Sequence, residues 1–337
     1  MVDGLRLDEF VPHPWLSGPH RQTLVGVCLG AGWKHLPSDS TLLRLPDGDC
    51  LGLLDSRPPG WTPRGPVAVI GHGLTGTHRS AHVVRLARTL YRCGLRVFRV
   101  DLRGNGAAQG HARGIYHAGH SDDFRAAVEE VQARCGGSAI AVVGVSMSGN
   151  IALKMAAEVS RGHVPGLHTV VALCPPIDLA ASAQRFKEPR NRLYERYFVR
   201  RLMNQACDRL RRYPEFGPVA FRRRMHLEEF DDLYTAPQAG FGGAADYYTR
   251  ASSAALIRSI AIPTLILASR DDPLIDAHAF RELRASLPAG HPVRVLLTRG
   301  GGHLGYIARG RRHTCRHWLD DLISGWLEAC RVRVDRG

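Results

Sequence analysis

Short apolar runs bounded by glycine, proline and charged residues recur along this chain, separated by longer stretches whose apolar residues fall three and four apart. The first pattern is that of buried strands and the second that of helices with one inward face. Residues 42–45 and 51–55, joined by Pro46-Asp-Gly-Asp49, predict a hairpin. Beyond it the two patterns alternate: strand 67–70, helix 79–93 ending at Gly94, strand 95–100, a helix from Ser121 to about 134, strand 139–143, helix 148–160 and strand 167–174. Alternation at these lengths predicts βαβ units and a mostly parallel central sheet flanked by helices. From Pro175 the alternation stops. Residues 176–250 hold arginine-rich, aromatic-studded segments without a strand pattern, which predicts a helical insertion. The sheet pattern returns with strand 263–267, helix 276–287, strand 293–297 and a closing amphipathic helix over 314–330. The expected organisation is therefore one α/β core built from residues 1–175 and 251–337, with 176–250 inserted as a helical cap. A cap over the carboxyl edge of a parallel sheet is where such folds hold ligands.

Composition narrows the classes. With 337 residues, 44% of them hydrophobic, the chain has enough apolar material for a real core, which excludes general disorder. Its longest apolar runs are strand-sized, far short of the roughly 20 residues that a bilayer span needs. The first ten residues carry acids and no apolar core of a leader, so the expected location is cytoplasmic. The eight cysteines are scattered singly, which fits free thiols rather than a disulfide framework. A net charge of +14 invites a polyanionic partner. The positive charge is nearly all arginine spread along the chain, however, with no zinc-finger spacing and no RNP-like segment, so no nucleic acid is expected as a partner.

The sharpest local signal is Val142-Val-Gly-Val-Ser-Met-Ser-Gly-Asn150, between a predicted strand and a predicted helix. A nucleophile elbow turns so tightly that the positions two before and two after the nucleophile must be small. Gly144 and Ser148 meet that demand and make Ser146 the candidate nucleophile. A serine hydroxyl needs a base, and the base needs an orienting group. Arg299-Gly-Gly-Gly-His-Leu-Gly305 follows the last predicted strand and offers His303 as the base. Ser269-Arg-Asp-Asp-Pro-Leu-Ile275 follows the preceding strand and offers two acids; Asp272 is favoured over Asp271 because Pro273-Leu-Ile follows it directly. The expected oxyanion donors are the N–H groups of Met147, next after the nucleophile, and of Leu74 in the glycine-rich loop Gly71-His-Gly-Leu-Thr-Gly76. His72 is expected to brace that loop. His313 and His317, four apart on the predicted last helix, lack the neighbouring acid of a zinc motif and read as a solvated face; no metal site and no cofactor are expected.

The motifs taken together resemble the YheT-like branch of the α/β-hydrolase superfamily, whose relatives include abhydrolase-domain lipases and yeast medium-chain ester synthases. The resemblance rests on Pro14-Trp-Leu-Ser-Gly-Pro-His-Arg-Gln-Thr-Leu24, His72-Gly-Leu-Thr-Gly76, Asp101-Leu-Arg-Gly-Asn-Gly106, Tyr116-His-Ala-Gly-His-Ser-Asp-Asp123, the elbow, Asp271-Asp-Pro-Leu274 and Gly301-Gly-His-Leu-Gly305, in order over nearly the whole chain. Ser148 departs from the glycine usual there. The resemblance implies an α/β-hydrolase fold and a serine hydrolase acting on small-molecule carboxylic esters of short to medium acyl chain, through Ser146, His303 and Asp272 and without a cofactor. Two alternatives stand beside it: acyl transfer to an alcohol by the same triad, and a scaffold that binds a lipid or partner without turnover. The Arg103 and Asp123 segments are expected to shape loops beside the site. The aromatics Phe186, Tyr194, Tyr197 and Phe198 are expected to line an acyl pocket, and the arginines among them to give weak peripheral contact with anionic lipid.

Overall fold

A computed structural model describes residues 9–31, 36–159, 164–310, 315–330 and 332. The chain opens with helix α1 (Pro19–Ala31) and the hairpin β1 (Asp39–Arg44) and β2 (Cys50–Ser56). Then follow β3 (Val67–Gly71), α2 (Ala81–Arg92), β4 (Arg96–Asp101), α3 (Ser121–Cys135), β5 (Ile140–Val145), α4 (Met147–Val159) and β6 (Leu167–Leu173). The strands pair in the order β1-β2-β4-β3-β5-β6, with the β1–β2 and β2–β4 pairs antiparallel and the others parallel. Crossover helices must cover both faces of such a sheet, so its inner strands are apolar on both sides. Strand β5 shows this: Ile140 and Val142 face a core shared with α3 and α4, while Ala141, Val143 and Val145 face a second core shared with α2.

After β6 the chain leaves the sheet. It forms α5 (Leu179–Lys187), the long α6 (Arg192–Arg212), α7 (Leu227–Phe230), a π turn (Asp231–Thr235), α8 (Ala236–Gln238) and α9 (Ala244–Ala251). No strand lies among the described residues of this segment. Asp178 starts α5 by accepting the Ala181 N–H at 2.9 Å, the N-cap role that carboxylates fill at helix starts. The buried side chains of α5, α6 and α9, among them Phe186, Val199 and Tyr247, join the same core as α3 and α4, so the segment packs over that side of the sheet. The sheet then resumes with β7 (Thr264–Ser269), α10 (Ala277–Ser286) and β8 (Val293–Thr298), both strands parallel to β6.

Two features differ from the sequence expectation. Residues 314–330 are not one helix: β9 (Ile307–Arg309) pairs antiparallel with β10 (Cys315–His317), and α11 begins only at Trp318 and ends at Ala329. His317 therefore lies on a strand, its Nδ1 2.8 Å from Arg85 Nη1, and not on a solvated helix face; His313 falls outside the described residues. The second is α1, which the apolar pattern did not announce.

The hairpin and the segment after β4 are fixed by charge. Arg103 donates to both oxygens of Asp123 at 2.8 Å, to Asp49 at 2.7 Å and to Asp47 at 2.5 Å. Asp101 accepts the His78 N–H at 2.6 Å and the Ala107 N–H at 2.8 Å. These carboxylates tie loops together.

Candidate active site

Strand β5 ends at Val145 and α4 begins at Met147, so the whole reversal from strand to helix falls on Ser146. Its φ of +52° lies in the left-handed region, where a non-glycine residue persists only if its surroundings hold it. They do so at both ends. The Ser146 N–H donates to Leu173 O of β6 at 2.8 Å, and its carbonyl accepts the Gly149 N–H at 2.7 Å. The turn brings Ser148 back over the strand so closely that a Cβ on Gly144 would stand 2.4 Å from Ser148 O. Ser148 is buried and donates its hydroxyl to His72 O at 2.5 Å, so the serine at the usual glycine position pins the neighbouring loop.

His303 reaches this serine from the loop after β8. Its Nε2 is 3.1 Å from Ser146 Oγ and its Nδ1 is 2.9 Å from Asp272 Oδ2. The other oxygen of Asp272 accepts the N–H groups of Leu274 at 2.8 Å and Ile275 at 3.1 Å, which fixes the carboxylate at the end of β7. A carboxylate so placed holds the proton on Nδ1 and leaves the Nε2 lone pair toward the serine hydroxyl. Asp271 has a different position. Its Oδ1 accepts the Gly302 N–H at 2.9 Å, so it braces the loop that carries His303 without touching the imidazole. A brace from elsewhere in the chain comes from α1: the His303 N–H donates to Thr23 Oγ1 at 2.9 Å.

Leu74 and Met147 line one cavity together with Ser146 and His303. Among the described residues the N–H groups of Leu74 and Met147 have no protein acceptor, as an oxyanion site requires of its donors. The backbone before Leu74 passes close to the serine, since a Cβ on Gly73 would lie 3.2 Å from Ser146 Cβ. His72 braces the loop: its Nδ1–H donates to Gly73 O at 2.8 Å and its Nε2 accepts the Leu102 N–H at 3.2 Å. Full burial lowers its pKa and keeps it neutral in that pattern. The residue after Leu74 is held harder still. Thr75 has φ +57°, gives its N–H to Tyr116 Oη at 2.9 Å, and is clamped by Arg201 of α6, with Nε 3.1 Å from Oγ1 and Nη2 3.1 Å from the carbonyl.

Of the aromatics expected to line a pocket, Phe186 and Phe198 reach this cavity. Tyr194 instead stacks on His20 of α1 and Tyr197 is exposed. Sequence reasoning missed Thr23, Tyr116, Arg201 and Asp231. The only prior signal for the first two was their place inside segments shared with a family.

The ligand atoms of Cys174, Asp272 and His303 lie within 4.8 Å of one another, a spacing that a metal ion would accept. The donor set fits poorly. Burial pushes the Cys174 thiol well above its usual range, so it stays protonated, and the Asp272 carboxylate already holds His303 and two backbone N–H groups.

The model of the alpha/beta hydrolase fold matches residues 66–309. The chain belongs to the α/β-hydrolase family. Among the relatives of this hydrolase, YheT of Escherichia coli (strain K12), a provisionally named esterase, is 31% identical over 95% of this chain and 93% of its own length. Medium-chain fatty acid ethyl ester synthase/esterase 2 of Saccharomyces cerevisiae is 28% identical over 72% of this chain and 58% of its own. Among solved structures, the hydrolase GrgF from Penicillium sp. sh18 superposes with a TM-score of 0.59 at 16% identity, covering 88% of this chain and 100% of that one. The Pyrococcus furiosus esterase Pf2001 does so with 0.55 at 17% identity, covering 96% and 98%. Likeness at this identity speaks for the fold.

Asp231, from the π turn, also lines the cavity. Burial pushes its carboxyl up to about 6 from 3.8, against hydrogen bonds from Thr235 and Tyr248 that favour the charge. A raised carboxyl pKa means that the folded state binds the proton more tightly. Stability is therefore lost as pH rises from about 4 to about 6 and stays lower above that. An uptake of this size corresponds to about 3 kcal/mol. Thermal melts of Asp231→Asn should show a higher Tm than the parent at pH 7, with the gain shrinking toward zero near pH 4. A gain independent of pH would contradict the assignment.

Proposed function

We propose that this α/β hydrolase is a serine esterase that cleaves carboxylic esters of short to medium acyl chain through an acyl-enzyme. The observation that carries the reading is the continuous contact from Ser146 Oγ through His303 to Asp272, at 3.1 and 2.9 Å. In this reading Ser146 Oγ attacks the ester carbonyl while His303 Nε2 takes its proton. The Leu74 and Met147 N–H groups receive the oxyanion of the tetrahedral intermediate, and Asp272 stabilises the imidazolium. Collapse expels the alcohol, which takes the proton from Nε2. Water, deprotonated by the same nitrogen, attacks the acyl-serine, the acyl–Oγ bond breaks to release the acid, and Nε2 returns its proton to Ser146 Oγ. The wall formed by Phe186, Phe198, Leu179 and Ile275 gives the acyl chain an apolar surface, and α5–α9 act as the cap. The synthase/esterase name of the yeast relative supports a second reading, in which a bound alcohol takes the place of water.

Turnover of p-nitrophenyl esters of graded chain length tests this directly. Ser146→Ala should lower kcat on the order of a millionfold. Asp272→Asn should lose about ten-thousandfold through the wrong histidine tautomer, and Asp271→Asn far less. Comparable losses for the two asparagine variants would refute the choice of acid. Product analysis with added ethanol separates hydrolysis from acyl transfer.

Arg201 is a positioning residue in this scheme, because it touches Thr75 and not the reacting atoms. Arg201→Met should lower kcat about tenfold, a fraction of the ~100-fold or more lost when an oxyanion donor is removed outright, with little change in KM. It should weaken a trifluoromethyl ketone inhibitor in proportion, whereas Arg201→Lys keeps part of both. Unchanged kcat and inhibition would show that the clamp does not act on the oxyanion loop.

A further inference from the structure

Large apolar side chains exposed to water are few among the described residues, and their distribution is uneven. Of nine such residues, seven fall in two segments: Val11, Trp15, Leu24, Val27 and Leu29 near the start of the chain, and Leu193 and Tyr197 on the first turns of α6. Trp15 is 81% exposed and Leu193 77%. The segments are neighbours in space, since His20 of α1 stacks on Tyr194 of α6 with ring centroids 5.7 Å apart and a 3.1 Å contact from Nδ1 to the phenol oxygen. On α1, His20, Leu24 and Val27 follow one helical stripe, and on α6 Leu193 and Tyr197 follow another. Arg21, Arg192, Arg196 and Arg200 are exposed on the same two helices, and among the described residues no carboxylate forms an ion pair with any of them. The face is also joined to the site, through Thr23 and His303 on one side and through Phe198, next to Tyr197, on the other.

We propose that this face, made by α1, the turn before it that carries Trp15, and α6, docks on an anionic lipid surface. Clustered apolar side chains of this size mark interaction surfaces rather than ordinary exterior. Apolar side chains with a tryptophan, set among arginines, match the interface of a bilayer with negative headgroups, where each arginine gains about a fivefold increase in binding. A second copy of the chain fits less well. A twofold contact through this patch would set four arginines against four, with no acid among the described residues paired to any of them. Docking here would place the cavity holding Ser146 beside the layer from which water-insoluble esters come.

Co-sedimentation with vesicles tests the proposal without any appeal to turnover. The full chain should bind phosphatidylcholine vesicles containing phosphatidylglycerol at low salt, bind pure phosphatidylcholine far less, and lose binding as salt screens the charges. Replacing Arg192, Arg196 and Arg200 together by alanine should weaken binding on the order of a hundredfold. The combination Trp15→Ser with Leu193→Ser should weaken it about tenfold or more. These side chains are exposed, so Tm and hydrolysis of a water-soluble ester should not change. Absence of binding to the anionic vesicles at low salt would overturn the proposal, as would binding indifferent to both sets of substitutions. A dimer in analytical ultracentrifugation that the Trp15→Ser, Leu193→Ser pair dissociates would assign the face to a second copy instead.

Discussion

The site hangs on a single left-handed residue. Ser146 has φ +52° because β5 and α4 leave it no other conformation: β6 holds its N–H, the first turn of α4 holds its carbonyl, and the backbone at Ser148 lies where a side chain at position 144 would be. Such a conformation costs on the order of 1 kcal/mol or more, which the sheet must offset. Strand β5 can do that because it is paired on both edges, with β3 and with β6, and buried on both faces. The side chain that results stands at the carboxyl edge of the sheet, on a support that does not yield.

Every other part of the site is aligned to that point by a separate strand end. Asp272 stands just after β7, His303 in the loop after β8, and Leu74 in the loop after β3. Each loop carries its own brace: two N–H groups on the Asp272 carboxylate, Asp271 and Thr23 on the His303 loop, and His72, Ser148, Tyr116 and Arg201 on the Leu74 loop. Besides Ser148 of the neighbouring α4, two of these braces come from helices distant in sequence from the loops they hold, Thr23 from α1 and Arg201 from α6. The orientation of the proposed base and of one proposed oxyanion donor thus depends on α1 and α6, and the same two helices carry the exposed apolar and basic face.

Much of this was legible in the sequence because strand ends write themselves twice, once as an apolar run and again as the small or charged residues that stop it. The run 139–143 followed by the elbow, and the run 263–267 followed by paired aspartates, located Ser146 and Asp272 without any structure. Helix α1 escaped because it has no acid in its first turn, no basic residue in its last and no clear apolar face turned inward; its outer stripe carries the apolar residues. The start of α11 was misplaced because Cys315–His317 is too short a strand to show a period of two, and its partner β9 is equally short. Arg201 was indistinguishable from its neighbours, since Arg196 and Arg200 differ from it only in what the fold brings opposite them. A contact between residues 126 positions apart, such as that of Arg201 with Thr75, leaves no local trace.

In the proposed mechanism the elbow and the imidazole together make Ser146, and no other serine, the nucleophile. Peptide mapping by mass spectrometry after reaction with a fluorophosphonate measures this most directly. A single phosphonylated residue is expected, at Ser146, with labelling abolished by His303→Ala and unaffected by Ser148→Ala. Adduct on Ser148, or labelling of Ser146 that persists at the parent rate in His303→Ala, would contradict it.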